Sequence, residues 1–262
     1  VKAVIHNEGL QMLPLSTDTS LAEPGVYVMG LAPGAQVERV VSYAIAHGAH
    51  SFAALVPSTP YGALVAQVFG NAVVQHGAQL VDIESFGTAA EGQDRAKSLG
   101  LQRDHIDALL LPESGGELKV LADQLSAAGF DPAHTHILGT GLWDVPGLGH
   151  QSPLLVGGWY AAPDPATRHS FVVNYKGAYG QEPPRLATLA YDATALAAVI
   201  SKRGVLYNEA ALTNPNGFAG LDGIFRLMPS GVVEREMAVN EVTTDGAQVI
   251  DPAPTSFVAY SR

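Results

Sequence analysis

Carboxylates are the first side chains in this sequence whose spacing could support chemistry. Glu113 and Glu117 lie four residues apart at a predicted strand-to-helix junction, where two carboxyl groups could act as general acid and base. The helix dipole alone favours acidic residues in a first helical turn, and this simpler interpretation is preferred for Glu117. Glu113 precedes the helix, in a loop that is predicted to face a cleft.

Histidine is the second candidate for chemistry. The nine histidines are scattered, and His134 and His136, two residues apart, form the closest pair. On a strand these positions share one face and could supply half of a metal site, although a solvated strand entry is the simpler interpretation. The chain has no cysteine, which excludes disulfides, thiolate catalysis and Cys-bound zinc. We predict neither a metal nor a cofactor.

Motifs of established enzyme classes are absent from the sequence. It contains no G-x-S-x-G elbow, no P-loop, no H-E-x-x-H and no EF-hand loop. Gly139-Thr140-Gly141 begins like a dinucleotide-binding fingerprint, but Asp144 stands where the third small residue is needed. The sequence therefore predicts a protein that is not an enzyme.

Composition narrows the classes of protein further. Of 262 residues, 47% are hydrophobic and only 15% are charged, which favours a folded chain over a disordered one. The net charge of −11 disfavours nucleic acid as a partner, because phosphate backbones repel an acidic surface. No apolar run approaches the roughly 20 residues of a membrane-spanning helix.

Short apolar runs alternate with amphipathic segments, which is typical of βα units around parallel sheets. The predicted strands cover residues 12–15, 26–29, 52–56, 80–83, 108–111, 136–138 and 154–156. The predicted helices cover residues 33–48, 61–77, 117–128, 165–179 and 186–202. Residues 87–94 are interpreted as a polar segment. Residues 223–242 are predicted to form a β-hairpin that turns at Pro229-Ser230-Gly231.

The loops that follow the predicted strands are the candidate site. Doubly wound sheets bind ligands at the carboxyl ends of their strands, beside helix N-termini. These loops comprise residues 16–18, 30–34, 57–62, 112–116 and 139–144. The fold class is α/β, and the site is expected among these loops.

Two groups of segments resemble a known superfamily. Leu13-Pro14-Leu15-Ser16-Thr17-Asp18, followed by Val26-Tyr27-Val28-Met29-Gly30, Pro33 with Gln36, Phe52 to Pro57, and Tyr61-Gly62, resembles the type I periplasmic-binding superfamily in its leucine/isoleucine/valine-binding branch. The tail, with Phe218 to Arg226, Gly231, Glu234-Arg235 and Val239 to Val242, resembles alphaproteobacterial penicillin-binding protein activators, which share the fold. With Tyr191-Asp192-Ala193, the resemblance covers nearly the whole chain.

The resemblance implies two doubly wound α/β lobes that are joined by hinge crossovers and hold a ligand between them. We expect residues 1–49 and 161–224 in lobe 1, and residues 50–160 and 225–262 in lobe 2. Lobe 1 is expected to lack the N-terminal strands of the family, so that the sequence would be part of a longer chain. A lipid anchor on a preceding segment belongs to the same expectation.

The resemblance also implies a set of ligand-binding residues. A hydroxyl in the Ser16-Thr17 loop would hold a carboxylate, and Tyr61 would cover the ligand. The further positions are Met29, Gly30, Glu113, Thr140 and Trp143, the last as an apolar wall. Simple packing remains an alternative for Tyr61 and Trp143.

Two positions depart from the family's pattern. Met29 and Gly30 occupy the region of a family hydroxyl. The acid that grips a ligand ammonium should fall near Gly141, where the sequence has none. Glu113 could substitute for this acid; otherwise the ligand lacks an amine or the cleft is degenerate.

Two functions follow from these resemblances. The first is a periplasmic solute-binding protein that takes an amino-acid-like or carboxylate ligand and delivers it to an ABC-type importer by hinge closure. The alternative is an envelope protein that contacts and activates a peptidoglycan synthase. The expected partners are accordingly the small ligand and a membrane transporter or a synthase.

Overall fold

The computed structural model describes residues 10–202 and 209–257. The chain forms two compact units. Unit 1 comprises Val1–Ala35, Pro163–Met237 and Pro252–Arg262, and unit 2 comprises Gln36–Ala162 and Ala238–Asp251. Each unit is therefore assembled from segments that are distant in the sequence.

The helices and strands are numbered in chain order. The helices are α1 (Pro33–Ala46), α2 (Pro60–Gln75), α3 (Ala89–Gly100), α4 (Gly115–Ala127), α5 (Pro165–Tyr179), α6 (Ala187–Lys202) and α7 (Glu209–Leu212). The strands are β1 (Ser51–Pro57), β2 (Gln79–Phe86), β3 (Ala108–Leu110), β4 (His136–Gly139), β5 (Trp159–Ala162), β6 (Phe225–Leu227), β7 (Val233–Arg235), β8 (Ala238–Val242) and β9 (Ala247–Asp251). Across the described ranges, no helix is both long and apolar enough to cross a bilayer.

Unit 2 is built on a seven-stranded sheet with the order β2-β1-β3-β4-β5-β8-β9. Strands β1 to β5 run parallel, whereas β8 pairs antiparallel with β5 and β9 pairs antiparallel with β8. The carboxyl ends of the five parallel strands consequently lie at one edge of the sheet.

The core of unit 2 covers both faces of β1. Phe52 meets Phe69 of α2 edge-on, with 6.3 Å between the ring centroids. Leu55 belongs to a buried cluster with Leu99 of α3 and Leu121 of α4. A strand covered on both faces is the usual arrangement in a parallel sheet, and each fully buried side chain of this size contributes about 1.5–3 kcal/mol. This rigid strand positions the loop that follows it.

Unit 1 contains two extended segments and a β-hairpin. The extended segments around Met12 and Val26 lie parallel, and the Tyr27 N–H donates to the Met12 carbonyl at 2.8 Å. Strands β6 and β7 pair antiparallel. The Val28 N–H donates to the Gly231 carbonyl in the hairpin turn at 3.0 Å. The buried cluster of unit 1 joins these segments to α6 and α7, through Tyr27, Met29, Leu196, Ile200, Leu212, Phe225, Leu227 and Val233.

The structure confirms the α/β fold class and most of the predicted helices, but several local predictions are wrong. The polar residues 87–94 contain the start of α3, whose N-cap Thr88 accepts from the Glu91 N–H. Residues 154–156 do not form a strand; Pro153–Leu155 is a 3-10 turn, and the strand begins at Trp159. The predicted hairpin ends at Arg235, and the residues after it form β8 in the sheet of unit 2.

The units divide the chain at other points than the predicted lobes. Most of α1 belongs to unit 2, because Arg39 pairs with Asp251 at 2.7 Å and Tyr43 meets Trp159 edge-on. The β6–β7 hairpin belongs to unit 1, because Phe225 packs in the cluster that surrounds Tyr27.

Candidate functional site

Three of the predicted site residues lie at the edge of the unit 2 sheet where the parallel strands have their carboxyl ends. Tyr61 lies in the first turn of α2, directly after β1, while Glu113 follows β3 and Thr140 follows β4. These three strands are neighbours in the sheet. The Tyr61 hydroxyl and Thr140 Oγ1 share a hydrogen bond of 2.9 Å. We call Tyr61, Glu113 and Thr140, with Gln36 described below, the edge cluster.

The position of Tyr61 follows from the local sequence before it. Thr59 caps α2 by accepting from the Gly62 N–H at 3.1 Å, and Pro60 occupies the first helical turn. Gly62 allows close approach of the helix to the strand, because a Cβ at this position would lie 1.9 Å from the Pro57 carbonyl oxygen. The turn from β1 into α2 is therefore tight, and it holds Tyr61 beside the strand end.

The charge state of Tyr61 depends on its surroundings. Burial raises the pKa of Tyr61; the hydrogen bond with Thr140 opposes this, and the Glu113 carboxylate raises the pKa further. Tyr61 is accordingly a neutral phenol at physiological pH. Glu113 is half-buried and its Oε1 accepts from the Ser114 N–H at 3.0 Å. This bond fixes the carboxylate at the end of its strand.

Gln36 is a member of the edge cluster that the sequence did not single out as a site residue. Its side-chain Oε1 accepts from the Gly141 N–H at 2.7 Å, across 105 positions of the chain. Thr140 is fully buried and starts the 3-10 turn Gly141–Trp143, where its Oγ1 also accepts a long bond of 3.5 Å from the Leu142 N–H. The only local sequence signal for Gln36 is that it is a polar residue in the first turn of a predicted helix.

The predicted residues of unit 1 form a separate group around Ser16. Ser16 Oγ accepts from the Asp18 N–H at 3.0 Å, and Thr17 is exposed. A Cβ on Gly30 would lie 1.8 Å from the Ser16 carbonyl oxygen, so only glycine lets the two backbones approach this closely. Met29 is fully buried in the core of unit 1.

Trp143, predicted as an apolar wall, is fully buried. Its ring packs on Gly139 and Gly158, where an added Cβ would approach it to within 3 Å, and lies 6.3 Å from Tyr160. Leu142, its neighbour in the same turn, is 39% exposed. The structure therefore places Trp143 in the core of unit 2 and leaves Leu142 as the exposed apolar side chain of this turn.

The two closely spaced histidines do not come together. The His134 side chain is 84% exposed and lies 3.7 Å from Asp131, whereas His136 stacks on Trp159 with 4.0 Å between the ring centroids. His136 begins β4, at the opposite end of that strand from Thr140. Within the part of the chain that the structure describes, no three or more metal-ligating side chains are grouped.

Comparison with known proteins identifies the family to which this fold belongs. The family model described as periplasmic binding protein matches residues 3–247. No individually curated protein matches the chain by sequence.

Solved structures match the chain over nearly its full length. One, assigned to a branched-chain amino acid ABC transporter of Rhodospirillum rubrum, has a TM-score of 0.77 at 20% identity and covers 95% of this chain and 75% of its own. A leucine-binding protein from Thermotoga maritima has a TM-score of 0.68 at 20% identity, and the match covers 95% of this chain and 74% of that protein. An ABC transporter solute-binding protein of R. palustris in complex with benzoate has a TM-score of 0.69 at 18% identity, and the match covers 99% of this chain and 75% of that protein. At these identities the likeness establishes the fold.

Proposed function

The chain belongs to the periplasmic binding protein family, and from this premise we propose that it is a solute receptor for a small polar ligand. The family match over residues 3–247 is the observation that carries the proposal. The edge cluster supports it, because ligands of open α/β sheets bind beyond the carboxyl ends of the strands. The proposed place of action is the periplasm.

The proposed ligand is amino-acid-like or a carboxylate. Ser16 and Thr17 in unit 1 would bind its carboxylate through a hydroxyl and neighbouring backbone N–H groups. Tyr61, Glu113 and Thr140 in unit 2 would bind its other polar groups. Met29 and Gly30 would act through their backbone, since Met29 is buried and Gly30 has no side chain.

The proposed partner is the membrane component of an ABC-type importer. This rests on the solved neighbours, which are described as proteins of such transporters. The alternative of a peptidoglycan synthase activator has no observation in its favour beyond the resemblance of the tail.

A thermal-shift screen followed by calorimetry tests the proposal. The probes are the twenty amino acids, putrescine, choline, 4-methylpentanoate and benzoate. A true ligand at 100 times its Kd should stabilise the protein by about 2.7 kcal/mol. Tyr61→Ala should weaken that binding, whereas the exposed Tyr179→Ala should not. If no probe binds with a Kd below 1 mM, the proposal fails for these ligand classes.

A further inference from the structure

The contacts of Gln36 assign it a role in the candidate site. We infer that Gln36 is a positioning residue, which accepts from the Gly141 N–H and so fixes the Gly141–Trp143 turn in the conformation that a solute meets. In this role Gln36 acts through the turn and need not touch the solute itself. The role rests on the proposed function, because only a solute receptor gives this turn a ligand to meet.

The contact between Gln36 and Gly141 is short and enclosed. Gln36 is 6% exposed, and its Oε1 accepts from the Gly141 N–H at 2.7 Å. A Cβ on Gly141 would lie 3.1 Å from both Oε1 and Nε2 of Gln36, so the carboxamide lies directly against the backbone of the turn. Little room is left for water to replace the Gln36 oxygen, and a buried N–H that loses its acceptor is costly.

The turn depends on Gln36 because its own side-chain cap is weak. The bond from the Leu142 N–H to Thr140 Oγ1 is long, at 3.5 Å. The two backbone bonds of the turn measure 2.9 and 3.2 Å, and Gly141 has more backbone freedom than any other residue type would have at this position. The bond to Gln36 is the shortest of these four hydrogen bonds. The conformation at Gly141 therefore depends chiefly on this contact from outside the turn.

Gly141 lies between two residues that belong to the surface of the candidate site. Thr140 precedes it and shares a hydrogen bond of 2.9 Å with the Tyr61 hydroxyl. Leu142 follows it and is the exposed apolar side chain of the turn. A shift of Gly141 would displace both neighbours, so a change at Gln36 would be transmitted to the Tyr61 hydroxyl and to Leu142.

The place of Gln36 in the chain gives the contact a second property. Gln36 is the first residue of unit 2, and Ala35 before it belongs to unit 1. The bond to Gly141 therefore connects the point at which the chain enters unit 2 with the turn that follows β4. The turn is fixed to the beginning of α1 as well as to its own strand.

Amide hydrogen exchange of Gly141, followed by NMR on the whole chain, tests whether Gln36 fixes the turn. Gln36→Met removes the acceptor but keeps an unbranched side chain of similar length. Exchange of Gly141 should then become about two- to tenfold faster, the effect of one neutral hydrogen bond. The conservative rescue is Gln36→Glu, because a carboxyl oxygen accepts in either protonation state, and it should keep the exchange rate within about twofold of the wild type.

Calorimetry then shows whether the fixed turn matters for binding. The probes are those of the thermal-shift screen: the twenty amino acids, putrescine, choline, 4-methylpentanoate and benzoate. For a probe that binds the wild type, Gln36→Met should raise the Kd about two- to tenfold. The matched control is Gln67→Met, the same change at an exposed position of α2, which should alter neither the Kd nor the exchange of Gly141.

A second variant perturbs the contact from the other side. The Cβ of Gly141→Ala would press on the Gln36 carboxamide, so this variant should also raise the Kd and speed the exchange of residue 141. It decides the matter if Gln36→Met does not fold, which circular dichroism melting would show.

The outcomes separate the role of Gln36 from the proposed function. A probe that binds the wild type, Gln36→Met and Gly141→Ala equally well would overturn the role while supporting a solute receptor. Unchanged exchange of Gly141 in folded Gln36→Met would overturn it as well. Absence of binding by every probe to the wild type would reject the receptor proposal, and with it the role of Gln36 in binding.

Discussion

Asp192 Oδ2 lies 3.0 Å from Arg235 Nη1, and the two side chains are 1% and 2% exposed. Asp192 belongs to α6 and Arg235 to β7, while Asp192 Oδ1 also accepts from the Leu221 N–H at 2.8 Å. This ion pair therefore connects the helix, the hairpin and the loop before β6 in the interior of unit 1.

Asp192→Ala should destabilise the protein by about 3–5 kcal/mol, because it leaves a buried guanidinium without its counter-charge. Urea denaturation followed by circular dichroism measures the change. The control is Glu182→Ala, which breaks an exposed bridge to Lys176 and should cost at most about 1 kcal/mol. A loss below 1 kcal/mol for Asp192→Ala would show that the pair does not hold unit 1 together.

Gly30→Ala and Gly177→Ala should have opposite effects on stability. The first introduces a Cβ 1.8 Å from the Ser16 carbonyl oxygen, so the Ser16 loop must move; we expect a loss of about 1–3 kcal/mol and weaker solute binding. The second places a Cβ in open space on α5 and should stabilise by about 0.4–1 kcal/mol. Thermal melting of both variants decides the matter, and equal melting temperatures would refute the close approach.

The hydrogen bond between Tyr61 and Thr140 is measurable by a double-mutant cycle. Tyr61→Phe and Thr140→Val each remove one partner, and the coupling free energy of unfolding should be about 0.5–1.5 kcal/mol. Spectrophotometric titration of the tyrosines adds a second readout. Burial raises the pKa of Tyr61. Tyr61→Phe should therefore remove from the titration curve a tyrosine that ionises at higher pH than the exposed tyrosines. Zero coupling would mean that the two hydroxyls do not bond in solution.

His136 should make the protein less stable in mild acid. Burial lowers its pKa; Asp107 and Glu241 oppose this, while His47 adds to it. The unfolded chain, with a histidine pKa near 6.5, then binds more protons than the folded one, so stability is fully present above that pH and falls as the pH drops through the folded pKa.

The corresponding variant is His136→Phe, which keeps a ring stacked on Trp159 but cannot titrate. Its unfolding free energy between pH 7 and pH 5 should fall less steeply than that of the wild type. His134→Ala changes an exposed side chain and should leave the wild-type slope unaltered. Parallel slopes for His136→Phe and the wild type would contradict the expectation.

Periodic apolar residues were enough to predict α1, α2 and α4, because their buried side chains recur at helical spacing. The same criterion failed for α3, whose outer face is polar and whose buried positions are mainly small residues. Strand β8 could not be assigned to the sheet of unit 2 because its partner β5 is distant in the sequence, and β9 joins that sheet through β8. Pairing of β8 with β5 is decided by the three-dimensional fold.

The candidate site shows the same division. Tyr61 and Thr140 follow predicted strands, and the general rule about strand ends brought them to one edge. Gln36 accepts a hydrogen bond from the Gly141 N–H, and because the two residues are 105 positions apart, no local sequence pattern predicts this contact. Leu142 and Trp143 are adjacent, and only the geometry of the 3-10 turn decides which one is exposed and which is buried.

The discontinuous assembly of unit 2 has a consequence during translation. Strand β5 leaves the ribosome long before β8, its sheet neighbour, because Pro163–Met237 of unit 1 must be synthesised in between. For that interval the nascent chain carries an unpaired strand edge, which is a template for aggregation. Unit 2 can complete its sheet only after β8 and β9 have emerged, so a chaperone that shields β5 would protect the growing polypeptide during that interval.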